Sequence, residues 1–95
     1  MLKETPFQHM YRTIHVVLLG RTLGYTAWIF DVKASSVRRS IFKVLRHDEG
    51  WRKVMRESEQ HFPAIELGKI RKLDGKDKLK LVINACKNYM DKVGE

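Results

Sequence analysis

The apolar residues of this chain recur with helical spacing from near the N-terminus. Thr5 followed by Pro6 is a typical helix start, because threonine caps the first free N–H groups and proline fits the first helical position. Apolar side chains then recur every three or four residues. Gly20 and Gly24 can adopt the left-handed conformation that ends helices. The pattern therefore predicts a first helix over residues 5–23.

The clearest amphipathic pattern lies further along the chain, in a helix predicted over residues 36–47. Val37, Ile41 and Leu45 repeat at one-turn spacing and predict a single inner face. The opposite face is cationic, and no aspartate or glutamate occurs from position 32 to position 47. A solvated helix face normally mixes both signs of charge, so an unmixed cationic face indicates a polyanionic partner.

A shorter apolar segment precedes this helix and is predicted to form a largely buried helix that starts at Thr26. A polar turn, Lys33-Ala34-Ser35, separates the two, and Ser35 or Ser36 is expected to cap the second helix. Two helices joined by a short polar turn, the second basic on its outer side, are typical of a helix-turn-helix. Residues 26–47 are therefore predicted to present their second helix to the major groove of DNA.

The segment after the basic helix is predicted to be a β-hairpin that forms a wing over residues 51–73. Its strands are expected from Arg52 to Glu59 and from Ala64 to Leu73, joined by a turn that contains Pro63. A helix from Asp48 to Gln60 is the alternative, because the apolar residues there also fit a period of about 3.6 residues.

The last predicted helix covers residues 76–93 and has a wide apolar stripe. Its near-heptad spacing is typical of a helix that pairs with a symmetry-related copy, and a small domain has little core left to cover it. We therefore expect a homodimer, the alternative being that the stripe packs on the first helix of its own chain. The residues predicted for the dimer interface are Leu79, Val82, Ile83, Cys86, Tyr89, Met90 and Val93.

The overall charge also favours a nucleic-acid partner. Nineteen lysines and arginines against eleven acidic residues give a net charge of +8 over 95 residues, which attracts polyanions. No apolar run is long enough to cross a membrane, and the single cysteine forms no internal disulfide, so a cytoplasmic, nucleoid-associated protein is expected. The histidines lack metal-ligand spacing and no catalytic constellation stands out, so no enzyme activity, metal or cofactor is expected.

Candidate DNA contacts follow from the predicted helix-turn-helix and wing. Arginine can bind guanine edges in the major groove with two hydrogen bonds, and the small serine side chain permits close approach. The base-reading candidates are Ser36, Arg38, Arg39 and Ser40. The candidates for phosphate contacts are Tyr25, Thr26, Lys43, Arg46, Arg52, Lys53, Arg56 and Lys69.

Several short motifs resemble the winged helix-turn-helix regulators of the PadR family. They are Gly24-Tyr25 at the second helix, Ile41-Phe42 and Leu45 in the third, and Glu49-Gly50-Trp51 before the predicted hairpin. The resemblance implies a homodimer whose recognition helices enter successive major grooves and whose wings reach the flanking backbone. Members of that family act mainly as transcriptional repressors, and similar small winged-helix proteins serve as site-binding components of archaeal plasmid partition systems.

The expected fold class is mainly α with a small β-hairpin (α+β). It is a single winged helix-turn-helix domain over residues 1–95, in the order α-α-α-β-β-α, with a C-terminal dimerisation helix. The expected function is sequence-specific binding of double-stranded DNA as a small transcriptional regulator. The alternative is a partition protein that spreads along DNA or assembles with a partner protein.

Two rival functions are an RNA-binding domain and a protein-interaction adaptor. An RNA-binding domain needs exposed aromatic side chains on which bases can stack. Among the aromatic residues, only Phe42, His61 and Phe62 are expected to be exposed, which counts against RNA.

Overall fold

Five α-helices, the first of which continues into a π-helical turn, make up most of the described chain. The structure is a computed structural model and describes residues 4–52 and 64–93. Residues 49–52 are also helical. The elements are α1, Pro6–Thr13, with the π-helical turn Ile14–Leu18; α2, Leu23–Phe30; α3, Ala34–Leu45; α4, Ala64–Arg71; and α5, Gly75–Val93.

The start of α1 confirms the predicted cap. The Thr5 hydroxyl accepts from the Gln8 N–H at 3.3 Å, and the Gln8 side-chain oxygen accepts from the Thr5 N–H at 3.0 Å. This reciprocal capping box fixes the helix start beside Glu4. At the other end, Gly20 adopts a φ of +70° just after the π-helical turn, so the helical segment ends at Leu18 rather than at residue 23. Gly24, the other predicted stop, lies inside α2.

α3 is the central helix of the core. Its inner face is fully buried, as its sequence pattern predicts, and α1, α2 and α5 all pack against it. Phe42 stacks on Trp51, with 6.1 Å between the ring centroids, and so joins α3 to the helical residues 49–52. The fully buried residues of this inner face are Val37, Ile41, Val44 and Leu45.

α2 differs from the prediction in its start and in its burial. It begins at Leu23 with Thr22 as its cap, whereas Thr26 is fully buried and donates its hydroxyl proton to the Thr22 carbonyl at 2.9 Å. The prediction that this helix is largely buried is also wrong, because Trp28 is 76% exposed and Ile29 is 41% exposed. The helix is apolar nearly all round, so its sequence does not indicate which side faces the core.

The turn between α2 and α3 lies earlier than predicted. Asp31 ends α2 in the left-handed conformation, with φ 54° and ψ 50°, and the Val32 N–H bonds to the Ala27 carbonyl at 2.9 Å. This is the Schellman arrangement that closes many helices. Lys33 is extended and caps α3 through its backbone alone, so the predicted serine cap is wrong.

The predicted β-hairpin is wrong, and with it the α+β fold class. Ala64–Arg71 is an α-helix rather than a strand, and Arg52, the predicted start of the first strand, is helical. The rest of the first strand and the turn at Pro63 fall on residues 53–63, outside the described residues. The described residues contain no strand, so the fold class is all-α.

The apolar run of α4 explains the error. Leu67 and Ile70 are buried and lie three residues apart, which is a helical spacing, whereas Ile65 and Leu67 lie two apart in the sequence, which is a strand spacing. Only two of the eight residues of α4 are β-branched, which removes the usual preference for a strand. Before it, Asp48 accepts from the Trp51 N–H at 2.8 Å and caps the helical residues 49–52, as the alternative of a helix from Asp48 expects.

α5 packs its apolar stripe on its own chain. Val82, Cys86 and Tyr89 are buried where the helix meets α3 and the π-helical turn. The Asn88 amide donates to the His47 carbonyl at 2.9 Å and fixes the helix against the end of α3. None of the described helices is long and apolar enough to cross a membrane.

Candidate nucleic-acid interface

The outer face of α3 carries a strip of exposed cations. Arg39, Lys43 and Arg46 lie three or four residues apart, so they project from one side of the helix, opposite the buried Ile41. None of the three forms a salt bridge with an acidic residue in the described parts of the chain. We call these three residues the α3 strip. Among the described residues, its charges thus have no acidic partner, which is a state that favours binding to phosphates.

The four predicted base-reading residues do not share one environment. Arg39 is exposed, Ser36 and Arg38 are half-buried, and Ser40 is 1% exposed. The Nε of Arg38 is buried and has no hydrogen-bond partner among the described residues. Arg39 is therefore the member of this set with the freest approach to a ligand.

Ser40 belongs to a buried polar cluster between α1 and α3. Its hydroxyl lies 2.7 Å from His9 Nδ1 and 3.0 Å from Arg12 Nη1, and it donates to the Ser36 carbonyl at 3.0 Å. A hydroxyl has one proton, so this one accepts from both the arginine and the histidine, and a neutral His9 carries its proton on Nδ1. The hydroxyl is thus fully occupied inside the protein and is not available for the predicted base contact.

Arg12 supplies the buried charge of this cluster and is only 2% exposed. Its guanidinium lies over the Phe30 ring, 5.3 Å from the centroid, and its Nη1 is 3.4 Å from Glu4 Oε1. Its Nε has no hydrogen-bond partner in the described parts of the chain. A buried charge is costly unless it is well paired. The sequence analysis missed Arg12, although an arginine inside the apolar pattern of the first helix was a visible sign.

His9 is held in its neutral form by the same surroundings. Burial lowers the pKa of His9, and the positive charge of Lys43 lowers it further. Glu4, whose Oε2 lies 3.5 Å from His9 Nε2, raises the pKa but does not outweigh these effects. The charge of Lys43, a member of the α3 strip, thus acts on His9 of α1.

A cleft of about 330 Å³ opens between the start of α1 and the N-terminal half of α3. Arg39 and Lys43 of the α3 strip form part of its wall, and Glu4 is the acidic residue in its lining. The cleft therefore connects the exposed cations to the buried polar cluster. Its lining residues are Glu4, His9, Ser36, Arg39, Ser40 and Lys43.

The other predicted phosphate contacts are spread over several elements. Tyr25 is exposed on α2, whereas Thr26 beside it is fully buried and cannot reach a phosphate. Arg52 is exposed and donates through Nε to the Arg46 carbonyl at 3.0 Å, which extends the positive surface beyond the end of α3. Lys69 is exposed on α4. Outside the described residues lie Lys53 and Arg56.

Aromatic side chains form a second exposed surface, on α2. Trp28 and Tyr25 have ring centroids 6.0 Å apart at a tilt of 40°, and the Arg21 guanidinium lies 5.0 Å from the Tyr25 centroid. We call these three residues the α2 aromatic surface. Phe42, which the sequence analysis expected to be exposed, is buried against Trp51 instead. The argument against RNA therefore rested on a wrong assignment of the exposed aromatic residues.

The residues predicted for the dimer interface divide into a buried and an exposed group. Val82, Cys86 and Tyr89 are covered by their own chain, and burial raises the pKa of the Cys86 thiol to about 11. Met90 is partly buried. A partner copy can therefore reach only the remaining members of the set, which are Leu79, Ile83 and Val93.

Comparisons with models of protein families, with curated proteins and with solved structures returned no match for this chain. The resemblance to the PadR family thus stays a prediction that depends on short motifs, and the described residues lack the wing which that family implies. The geometry of the α3 strip and the adjoining cleft is therefore the basis on which a function can be proposed.

Proposed function

We propose that the protein binds double-stranded DNA through the outer face of α3. The observation that carries this proposal is the α3 strip, three exposed cations on one helix face with no acidic partner among the described residues. A helix fits the major groove of DNA, and cations about one turn apart can contact successive phosphates along its edge. In this proposal, α2 and the short turn after it are the first helix and the turn of a helix-turn-helix.

Within this proposal we assign the DNA contacts to exposed residues. Arg39 is the candidate for reading a base edge, because it is exposed in the N-terminal half of α3. Lys43 and Arg46 are the candidates for phosphate contacts, with Arg52 extending them. The biological role as a transcriptional regulator, or alternatively as a partition protein, rests on the sequence resemblance alone.

The test is a titration of a fluorescently labelled random-sequence duplex, followed by anisotropy over a series of salt concentrations. Lys43→Ala is expected to weaken binding about tenfold at 0.1 M salt and to flatten the slope of log K against log [salt] by about 0.9, because one phosphate contact is lost. Lys72→Ala is the matched control, since it removes the same charge from an exposed position just after α4, away from the proposed dimer contact. Equal effects of the two variants would contradict a contact through α3.

A homodimer stays part of the proposal, with a smaller contact than the sequence predicted. Leu79 and Ile83 are exposed one turn apart on α5 and can meet the same pair of a second copy. Exposed lysines flank the pair at Lys76, Lys80 and Lys87, so added salt is expected to strengthen association by screening their repulsion. Sedimentation at micromolar concentration tests this, because a dimer has twice the 11.2 kDa mass of the chain.

Single-stranded nucleic acid is a second candidate ligand, and the α2 aromatic surface favours it. Trp28 is 76% exposed, and proteins that bind unpaired strands stack bases on such rings beside arginine side chains. Trp28→Ala is expected to cost about 1–3 kcal/mol of affinity for an oligothymidine strand and to leave duplex affinity unchanged. Quenching of tryptophan fluorescence gives a direct readout, since the second tryptophan, Trp51, is buried. If Trp28→Ala leaves the affinity for oligothymidine unchanged, the α2 aromatic surface does not bind single strands.

A further inference from the structure

The cleft between the start of α1 and α3 is unusual in the number of hydrogen-bond donors that surround one carboxylate. Arg39 and Lys43 lie in its wall, and Ser36 also lines it. Directly behind the lining, Arg12 contacts both Glu4 and Ser40. An anion that enters the cleft would therefore meet fixed positive charge on two sides.

The buried Arg12 is incompletely compensated. Its guanidinium has Glu4 as its acidic partner in the described parts of the chain, at 3.4 Å, and a neutral hydroxyl, that of Ser40, at 3.0 Å. Its Nε is buried without a hydrogen-bond partner there. An arginine that is buried but not fully paired retains a strong attraction for a further oxyanion.

Glu4 is loosely held at this position. Its carboxylate lies 3.4 Å from Arg12 Nη1 and 3.5 Å from His9 Nε2, whereas charge-assisted hydrogen bonds are usually about 2.7–2.9 Å long. Its side chain is 44% exposed, and the residue precedes the cap of α1. Rotation of this side chain into solvent thus leaves the capping box of α1 intact.

We propose that the cleft is a phosphate-binding site, and that the Glu4 carboxylate occupies it until a phosphate group displaces it. A phosphate offers more acceptor oxygens than a carboxylate, so it can contact Arg12 and also the Arg39 and Lys43 side chains. The ligand class is a phosphate group, either in a nucleic-acid backbone or free in solution. If the ligand is a phosphate of a nucleic-acid backbone, the inference rests on the proposed function. The cleft then adds one phosphate contact at the edge of the α3 strip.

The first test compares Glu4→Gln with Asp91→Asn in the duplex titration described above. Both variants remove one negative charge from an exposed residue, and Asp91 lies on α5. The Glu4 carboxylate is 44% exposed and loosely paired, so displacing it is expected to cost up to about 1 kcal/mol. Glu4→Gln is therefore expected to bind duplex up to about fivefold more tightly than Asp91→Asn. A residue that only stabilises the fold would not raise affinity when it is removed. Equal affinities of the two variants would overturn the backbone form of the proposal.

The second test uses inorganic phosphate alone and does not depend on DNA binding. The NMR signals of the His9 ring and the Ser40 amide are expected to shift with phosphate, but not with sodium chloride at the same ionic strength. Ser36→Ala is expected to weaken this response while leaving the fold intact, and Glu4→Gln to strengthen it. If the NMR signals respond to phosphate but the protein does not bind duplex, the proposed function is contradicted. The cleft would then be a site for free phosphate. If the protein binds duplex but shows no phosphate-specific shift, and Glu4→Gln gains no duplex affinity, the cleft is not a phosphate site. DNA binding through the α3 strip would still stand.

Discussion

The two consecutive helices α2 and α3 differ in how their sequences relate to their surfaces. α3 buries one clean apolar face and exposes cations on the other. α2 is apolar nearly all round, yet it lies at the surface with Trp28 and Ile29 exposed. A strong period in the sequence therefore specifies which side of a helix is buried, whereas an apolar composition without a period does not.

The surfaces of α3 and α2 also differ in the type of ligand that each is proposed to bind. The charges of the α3 strip attract any polyanion, and salt weakens that attraction. Under the second proposal, the rings of the α2 aromatic surface would contact a ligand by stacking, which needs an unpaired base and does not depend on net charge alone. Duplex and single strands are thus expected to be distinguished by α2 rather than by α3.

The largest expected effect comes from truncating one isoleucine in each helix. Ile41 of α3 is fully buried and Ile29 of α2 is 41% exposed. Ile41→Ala is expected to lower the free energy of unfolding by about 2–5 kcal/mol, because it leaves a cavity in the core. Ile29→Ala makes the same chemical change at the surface, where the expected loss is below about 1 kcal/mol. Urea denaturation of the two variants measures both values.

Equal losses in the two isoleucine variants would break the comparison, since Ile29 would then be as buried in solution as Ile41. A loss at Ile29 that grows with protein concentration would instead show that a second copy covers α2.

The features of the fold that the sequence could predict are those that depend on residues close together in the chain. The start of α1 depends on Thr5, Pro6 and Gln8, which are close in sequence, and the inner face of α3 depends on one helical period, so both were predictable. The α4 run is short and fits a strand and a helix equally well. Its conformation depends on where Leu67 and Ile70 find core contacts, which the sequence alone does not reveal.

The next effect concerns two serines on α3 that the sequence placed together as base-reading candidates. Ser40→Ala removes the hydroxyl that accepts from Arg12 and His9, so it is expected to lower the free energy of unfolding by about 1–3 kcal/mol. Ser36→Ala removes a half-buried hydroxyl, and the expected change is within about 0.5 kcal/mol. Chemical denaturation measures both, with duplex affinity of the folded Ser40→Ala protein expected to match the parent.

A Ser40→Ala variant that keeps full stability but loses duplex affinity would restore its predicted role as a base contact. The sequence could not separate the two serines, because the partners of Ser40 lie 28 and 31 positions away along the chain. Both serines fall near the edge of the cationic face in a helical projection. Only the packing of α1 against α3 decides which of the two is buried.

The smallest effect lies at the turn that joins the two helices, and it has the opposite sign. Asp31 is a non-glycine residue in the left-handed conformation, with φ 54° and ψ 50°, and its carboxylate stands at the C-terminal end of α2. Glycine adopts this conformation without a clash, and a negative charge at this end of a helix opposes the helix dipole. Asp31→Gly is therefore expected to raise the free energy of unfolding by about 0.5–1 kcal/mol.

Asp31→Asn separates the two causes, because asparagine removes the charge but keeps a side chain that tolerates the left-handed region. The expected order of stability is glycine above asparagine above aspartate at position 31. If glycine is no more stable than asparagine, the backbone conformation costs nothing there and the charge alone explains the gain. If neither variant gains stability, the turn between α2 and α3 differs in solution, and the register that puts Arg39, Lys43 and Arg46 on the outer face loses its support.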